Sequence, residues 1–320
     1  MTRLRALALA VVVAALVVGA VVWGRPDDAA PPRRQEAAPE PVARVAPRLE
    51  GQVLDTIGVA SLNAWLVLGE PGARADWDRA TSHPEIDLIG WQEASSEAWA
   101  RLYPRYRARG WETWHRAGAD GPEALAVSWR RRVFSLVDAD YVRVHDASPP
   151  GASDAPFPVK WVLQVSLRHR ASGMLVTVLN THVNHTVETG HGWEKNLNAV
   201  MARRHYRVLT RMLDEAPGDV VMSTGDYNWD YADDTEYHPR GGIGQTVDRR
   251  NQSSYEALGL DGVEATLRTR WIDYVWLADR SVRRPDGRGV AQFARHRSLN
   301  GFRSDHRPLL AVIRLYAATS

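Results

Sequence analysis

Residues 219–228 read Asp-Val-Val-Met-Ser-Thr-Gly-Asp-Tyr-Asn. Asp219–Met222 is a short, β-branched apolar run of the kind that forms a strand. Thr224-Gly225-Asp226-Tyr227-Asn228 follows it as a turn sequence. Loops at strand ends are where a rigid scaffold presents reactive side chains. Alone, the segment has a plain reading, because Asp and Asn bond their own backbone and tolerate unusual dihedrals. It gains weight from what surrounds it.

Similar apolar runs recur at Val53–Ala60, Asp87–Trp91, Ala124–Trp129, Val159–Leu167, Leu175–Leu179, Ile272–Leu277 and Leu309–Leu315. Lys160–Leu167 alternates polar and apolar, as a half-buried strand does. Helical periodicity is clearest over Glu194–Glu215, where Leu197, Val200, Met201, Val208, Leu209, Met212 and Leu213 fall near one face. Arg203, Arg204, Arg207 and Arg211 lie mostly off that face and read as a solvated stripe. Shorter helices are expected at Ala73–Ser82 and Ser95–Tyr103. Strands outnumber helices without strict alternation, which favours a sheet-on-sheet core with helices outside.

Four more strand ends carry chemistry: Ser61-Leu62-Asn63-Ala64-Trp65, Gly90-Trp91-Gln92-Glu93, Leu179-Asn180-Thr181-His182 and Ser304-Asp305-His306, with Ile272-Asp273-Tyr274 upstream of the last. Each has a bland alternative. Glu93 fits a helix N-terminal carboxylate, Asn63 a turn cap and His182 a hydrogen-bonded structural histidine. Together they supply hard oxygen donors from Asn63, Glu93, Asp226, Asn228 and Asp305, the kind Mg²⁺, Mn²⁺ or Ca²⁺ prefers. His182 and His306 exchange protons near neutral pH, and Asp273 is placed to orient His306.

The ordered set N-x-W, Q-E, N-T-H, G-D-Y-N, I-D-Y and S-D-H resembles the endonuclease/exonuclease/phosphatase superfamily, over roughly Ile57 to Arg314. The resemblance implies a four-layer α/β sandwich, with two central mixed β-sheets packed face to face and helices outside. It implies a phosphoesterase using Mg²⁺ or Mn²⁺, with Ca²⁺ as a further option. Asn63, Glu93 and Asp305 would lie on the metal side. Asn180 would contact substrate. His182, Asp226, Asn228, Asp273 and His306 would be catalytic, with His306 oriented by Asp273. Whether Asp226 or His306 takes the proton of the attacking water stays open.

The bulk properties agree without deciding. Of 320 residues, 44% are hydrophobic and 24% charged, an ordinary globular balance. Net charge is +2 and pI about 9.0, which permits an anionic substrate without demanding one. The absence of cysteine excludes disulfides, thiolate metal sites and cysteine nucleophiles. Residues 6–23 are uncharged and long enough to span a bilayer, with Arg3 and Arg5 before them. Residues 1–25 therefore read as a signal-anchor or a cleaved signal peptide. They place the remainder at the outer face of a cell membrane in a single-pass arrangement, or outside the cell. Residues 26–50 are a Pro/Ala-rich linker and 51–320 the catalytic domain, expected as a monomer.

The favoured substrate is nucleic acid; Trp65, Trp229 and Tyr231 permit base stacking, though burial beside the site is the preferred reading of them. A phospholipid or sphingomyelin, or a phosphorylated small molecule, is the alternative. A non-catalytic binding module is the alternative from another class. The segment with His185, Glu188 and His191 reads as a solvated loop in preference to a second metal site, and Trp229–Asn251 as a long substrate-binding loop.

Overall fold

A strand covered on both faces is buried at every position, and β1 (Val53–Asn63) is so from Ile57 onward. Ile57 and Val59 enter one apolar core, while Ala60 and Leu62 enter another on the opposite face. The strand is therefore covered on both sides. The structure, a computed structural model, describes residues 51–94, 97–116 and 124–318. The anchor and linker expected over residues 1–50 lie outside the described residues. Among those described, no helix is long and apolar enough to cross a membrane.

The other strands are β2 (Leu88–Gln92), β3 (Trp111–Trp114), β4 (Ala126–Arg130), β5 (Phe134–His145), β6 (Lys160–His169), β7 (Leu175–His182), β8 (Val220–Asp226), β9 (Asn251–Ser253), β10 (Asp273–Ala278), β11 (Ala291–Ser298) and β12 (Leu309–Tyr316). They form two six-stranded sheets, ordered β11-β12-β1-β2-β4-β3 and β5-β6-β7-β8-β10-β9. Each sheet has one parallel pair at its centre, β1 with β2 and β7 with β8, and is otherwise antiparallel. A parallel pair needs a crossover helix. Here these are α1 (Glu70–Ser82) and α3 (Leu197–Glu215). The result is the expected four-layer sandwich.

The helices explain the outer layers. Trp77 of α1 stacks on Trp91 of β2 at 4.4 Å and 7°, and Trp99 of α2 (Glu97–Arg107) closes the same aromatic cluster. Asn196 caps α3 by accepting from Ala199 N. Helix α3 buries Ala199, Ala202, His205, Tyr206, Leu209 and Leu213. The buried stripe is rotated from the expected one, and Val200 faces solvent. Residues 229–251 are not the expected open loop. Asp230 caps α4 (Tyr231–Tyr237), and the Asp234 carboxylate ties Trp229 Nε1 to Gly244 N at the start of α5 (Ile243–Thr246). A further short helix, α6 (Ser254–Leu258), follows β9.

One pattern positions the site. On each strand of both parallel pairs, the residues facing the opposite sheet change from apolar to polar toward the C-terminal end. The rows are Val59-Ser61-Asn63, Leu88-Gly90-Gln92, Val178-Asn180-His182 and Met222-Thr224-Asp226. The sheets meet most closely at Gly90, where a Cβ would lie 2.0 Å from Thr224 Oγ1. Beyond that contact the interior opens into a polar cleft.

Candidate active site

Asn63 stands at the centre of the cleft. Its amide nitrogen donates to Glu93 Oε1 at 3.1 Å and to Asp226 Oδ2 at 3.0 Å, bridging the two sheets. Its amide oxygen accepts from Trp65 N at 3.0 Å. Glu93 Oε2 accepts from Leu66 N at 2.8 Å. Trp65, Glu93 and Asn228 all have φ between 52° and 56°. Backbone held in this sparsely populated region clusters at functional sites.

The proton-handling groups form a row. Asp273 Oδ2 lies 2.8 Å from His306 Nδ1, and His306 Nε2 lies 3.9 Å from Asp226 Oδ2. His182 Nε2 approaches the same Asp226 oxygen at 3.5 Å and Asn228 Nδ2 at 3.4 Å. Asp226 Oδ1 accepts from Asn228 N at 2.8 Å, which holds that residue in its unusual conformation. Asp226, Asp273 and His306 are buried and near enough together to hold a metal ion. The Asp273–His306 bond already occupies the facing nitrogen and oxygen, so the trio is better suited to moving a proton.

Solved structures share this architecture. D. rerio TDP2 complexed with a single-strand DNA product superposes with a TM-score of 0.57 at 12% identity, covering 81% of this chain and 98% of that one. The human Nocturnin catalytic domain with bound sulfate gives 0.57 at 15% identity, covering 81% and 94%. The endonuclease/exonuclease/phosphatase from Bacteroides vulgatus gives 0.58 at 17% identity, covering 82% and 99%. The chain has the endonuclease/exonuclease/phosphatase fold. No family model and no curated protein matches it by sequence.

Within this endonuclease/exonuclease/phosphatase fold, burial and charge set the protonation states. Burial pushes the Asp226 carboxyl up, and the adjacent Asp273 adds to the rise, to about 7. Burial opposes a charge on His306, but Asp273, Asp226 and Asp305 outweigh it and push the imidazole up to about 10. His182 is the reverse. Burial, with Lys160 and His306 beside it, holds its pKa well below the usual value, so it is neutral. The site thus holds one cationic and one neutral imidazole within reach of a single carboxylate.

Eight of the nine expected site residues converge on the cleft, and the ninth, Asn180, does not face it. Asn180 is sealed in the interior. Its oxygen accepts from Gln92 Nε2 at 2.7 Å and Thr224 Oγ1 at 3.0 Å, and its nitrogen donates to Trp91 O at 2.7 Å and Ala126 O at 3.1 Å. All four of its bonding positions are used, so none is left for a substrate. Asn63 turns its N–H groups to Glu93 and Asp226 and so aligns the two carboxylates, while its oxygen accepts from Trp65 N. Glu93 and Asp305 are the remaining candidate oxygen ligands. The surrounding protein raises the Asp305 carboxyl; His306 opposes the rise and Glu93 adds to it. Carboxylate oxygens are the donor type a hard divalent cation takes.

Other expectations resolve plainly. Trp229 is fully buried and bonded to Asp234, so it cannot stack on a base, and Tyr231 packs against the core. Glu188 is not in a solvated loop. It pairs with Arg270 and accepts from Asp230 N at 2.8 Å, holding the segment after His182 against the loop that carries Asn228.

Three contributors were not singled out from the sequence. Asp76 of α1 accepts from Arg303 N at 2.6 Å and Ser304 N at 2.8 Å, which fixes the loop bearing Asp305 and His306. Nothing distinguishes it from a surface helix carboxylate in the sequence. Gln92 was visible in its motif but had no role. Lys160 is buried beside the site. Its rarity in an arginine-rich chain was the one available signal.

Proposed function

We propose that the chain is a divalent-metal-dependent phosphoesterase that hydrolyses phosphodiester bonds, with nucleic acid the favoured substrate. The reading is carried by one observation. Asp226 Oδ2 lies within 3.0 Å of Asn63, 3.5 Å of His182 and 3.9 Å of His306, so one carboxylate oxygen can serve attacking water and phosphate together. Asp226, raised to about 7, is suited to accept the water's proton near neutral pH. Protonated His306, held by Asp273, donates to a phosphoryl oxygen and offsets charge developing there. Neutral His182 and the Asn228 amide donate on the other side. A divalent cation held by Glu93 and Asp305 would add positive charge where the phosphoryl oxygens become more negative.

The solved relative with a DNA product and the basic pI support nucleic acid. One observation favours the second reading, a phospholipid or sphingomyelin. Leu66 and Val67, beside Glu93, are 52% and 71% exposed and form an apolar rim. An extracytoplasmic position is part of the proposal and rests on residues 1–25 alone.

The test incubates the full chain with single-stranded oligonucleotide, plasmid DNA and sphingomyelin vesicles, each with Mg²⁺, Mn²⁺ or EDTA, beside Asp226→Asn. Metal-dependent cleavage of DNA that disappears in the variant supports a nuclease. Turnover of vesicles alone selects the lipid reading. No metal-dependent hydrolysis of any ester rejects both.

A further inference from the structure

Lys160 opens β6 and has no task in the chemistry above. It is 9% exposed and is one of only two lysines in the chain. An ammonium carries three donors. Among the described residues its one hydrogen bond is a 3.5 Å contact with the Val183 carbonyl. Burial pulls its pKa down to about 8, while Asp226 and Glu93 resist the fall, so the group is charged at neutral pH. Four imidazoles surround it: His145, His182, His185 and His205. Burial lowers the pKa of each, and the ammonium lowers it further. Neutral imidazoles do not balance a cation. A buried ammonium with idle donors is costly unless an anion meets it.

The room for that anion is present. Lys160 lines a cavity of about 250 Å³ together with Glu93 and His182, so the cavity is continuous with the catalytic cleft. Its remaining wall is largely apolar, made by Leu66, Leu125, Pro158 and Trp161. The volume falls below the ~300–1,000 Å³ of pockets that enclose a whole small ligand. It suits a single ring. Trp161 offers a flat surface for one and continues an aromatic row, with Tyr141 at 6.5 Å and Trp114 a further 5.2 Å on.

We infer that this cavity is the subsite for one ester group of the substrate, with Lys160 donating to a non-bridging phosphoryl oxygen and the apolar wall holding an aromatic ring attached to the phosphate. The inference rests on the phosphoesterase reading and adds to it a substrate class, aryl-bearing phosphate esters, and a residue that selects for it. The negative phosphoryl group meets a buried cation that makes no salt bridge among the described residues, with Asp226 and Glu93 acting on it only at a distance. The ring meets the one apolar wall of the cleft.

Non-hydrolysable probes test this without relying on turnover. Phenylphosphonate and methylphosphonate are titrated calorimetrically into the full chain in mild detergent with Mn²⁺. The wild type should bind the phenyl compound about 10-fold more tightly, the scale of one partly buried ring. Lys160→Met keeps the stem and removes the charge, and should weaken both probes by ~10- to 100-fold. Lys160→Arg should restore most of the loss. Trp161→Leu should abolish the preference for phenyl and leave methylphosphonate unchanged.

Equal binding of the two probes by the wild type overturns the subsite, and this comparison needs no variant. Unchanged binding in a folded Lys160→Met overturns the role of the lysine. Hydrolysis of bis(p-nitrophenyl) phosphate, measured in parallel, separates the two claims. A ring preference without hydrolysis rejects the phosphoesterase reading alone, and hydrolysis without a ring preference rejects the subsite alone.

Discussion

The two parallel strand pairs meet at one cleft but finish differently. Beyond β1 the chain runs into an exposed apolar stretch at Trp65, Leu66 and Val67, and beyond β2 it reaches Glu93, about a quarter exposed. Beyond β8 it runs through Tyr227, Asn228, Trp229 and Asp230, all buried, and β7 ends at His182, nearly so. The sheet holding β1 and β2 forms the rim, and the sheet holding β7 and β8 forms the floor. Asp226 and His182, whose pKa values burial and fixed neighbours shift, lie in the floor, and His306 reaches Asp226 from the loop before β12 of the other sheet. Glu93 and the exposed apolar stretch lie at the rim, where solvent and substrate have access. The two pairs thus place one exposed and one buried strand end on either side of the same cleft.

Changes in the floor should have the largest effects. Asp226→Asn removes the proton acceptor and should lower kcat on a phosphodiester by ~10³–10⁴-fold while leaving the unfolding midpoint little changed. A folded variant retaining a tenth of the activity would refute its assignment. Asp273→Asn should cost ~10²–10³-fold, because His306 loses the partner that keeps it charged. Its imidazole, titrated by NMR, should fall from about 10 toward the ordinary histidine value. A titration that does not move would place the support of His306 elsewhere.

The seam between the sheets comes next. Asn180→Leu strands the Trp91 and Ala126 carbonyls and two donors in a dry interior, and should cost about 3 kcal/mol or more in urea unfolding. Unchanged stability would mean that the sheets are held by apolar packing alone. A smaller effect is expected at Glu188. Burial raises its carboxyl from 4.5 to about 7, even with Arg270 beside it. A raised folded-state pKa means that folding favours the protonated form. That stability is fully present below pH 4.5 and is lost as pH rises through about 7. Glu188→Gln should flatten the stability profile between those values, by on the order of 2 kcal/mol. A profile unaltered by the substitution would deny the burial of this group. The smallest effect belongs to the rim. Val67→Ser should change stability by under about 0.5 kcal/mol, and a loss of vesicle binding with DNA cleavage intact would show the rim to be a membrane contact.

The fold was legible in the sequence to the extent that strands are interior. All eight apolar runs correspond to strands, and every one lies inside a sheet. The four strands not anticipated, β3, β5, β9 and β11, are the four sheet edges. An edge strand has one neighbour and much solvent, so its residues are not confined to an apolar or alternating pattern. Phe134–His145 carries two aspartates and an arginine, and Ala291–Ser298 two arginines and a histidine. Site residues were legible because they sit at strand ends in motifs. Their roles were less so. Whether an Asn presents nitrogen or oxygen, or uses all its bonding capacity internally as Asn180 does, depends on partners up to 89 residues away.

The pairing of β1 with β12 has a consequence in time. The first strand lies between β2 and the last one, with Ser61 opposite Leu309, some 250 residues later in synthesis. At about 5–20 residues per second, a ribosome takes roughly 12–50 s to deliver that partner. Until then β1 has an open edge, and the loop that aims His306 at Asp226 has no strand to anchor it. The candidate site is thus incomplete throughout synthesis and is assembled only when the final strand closes the sheet.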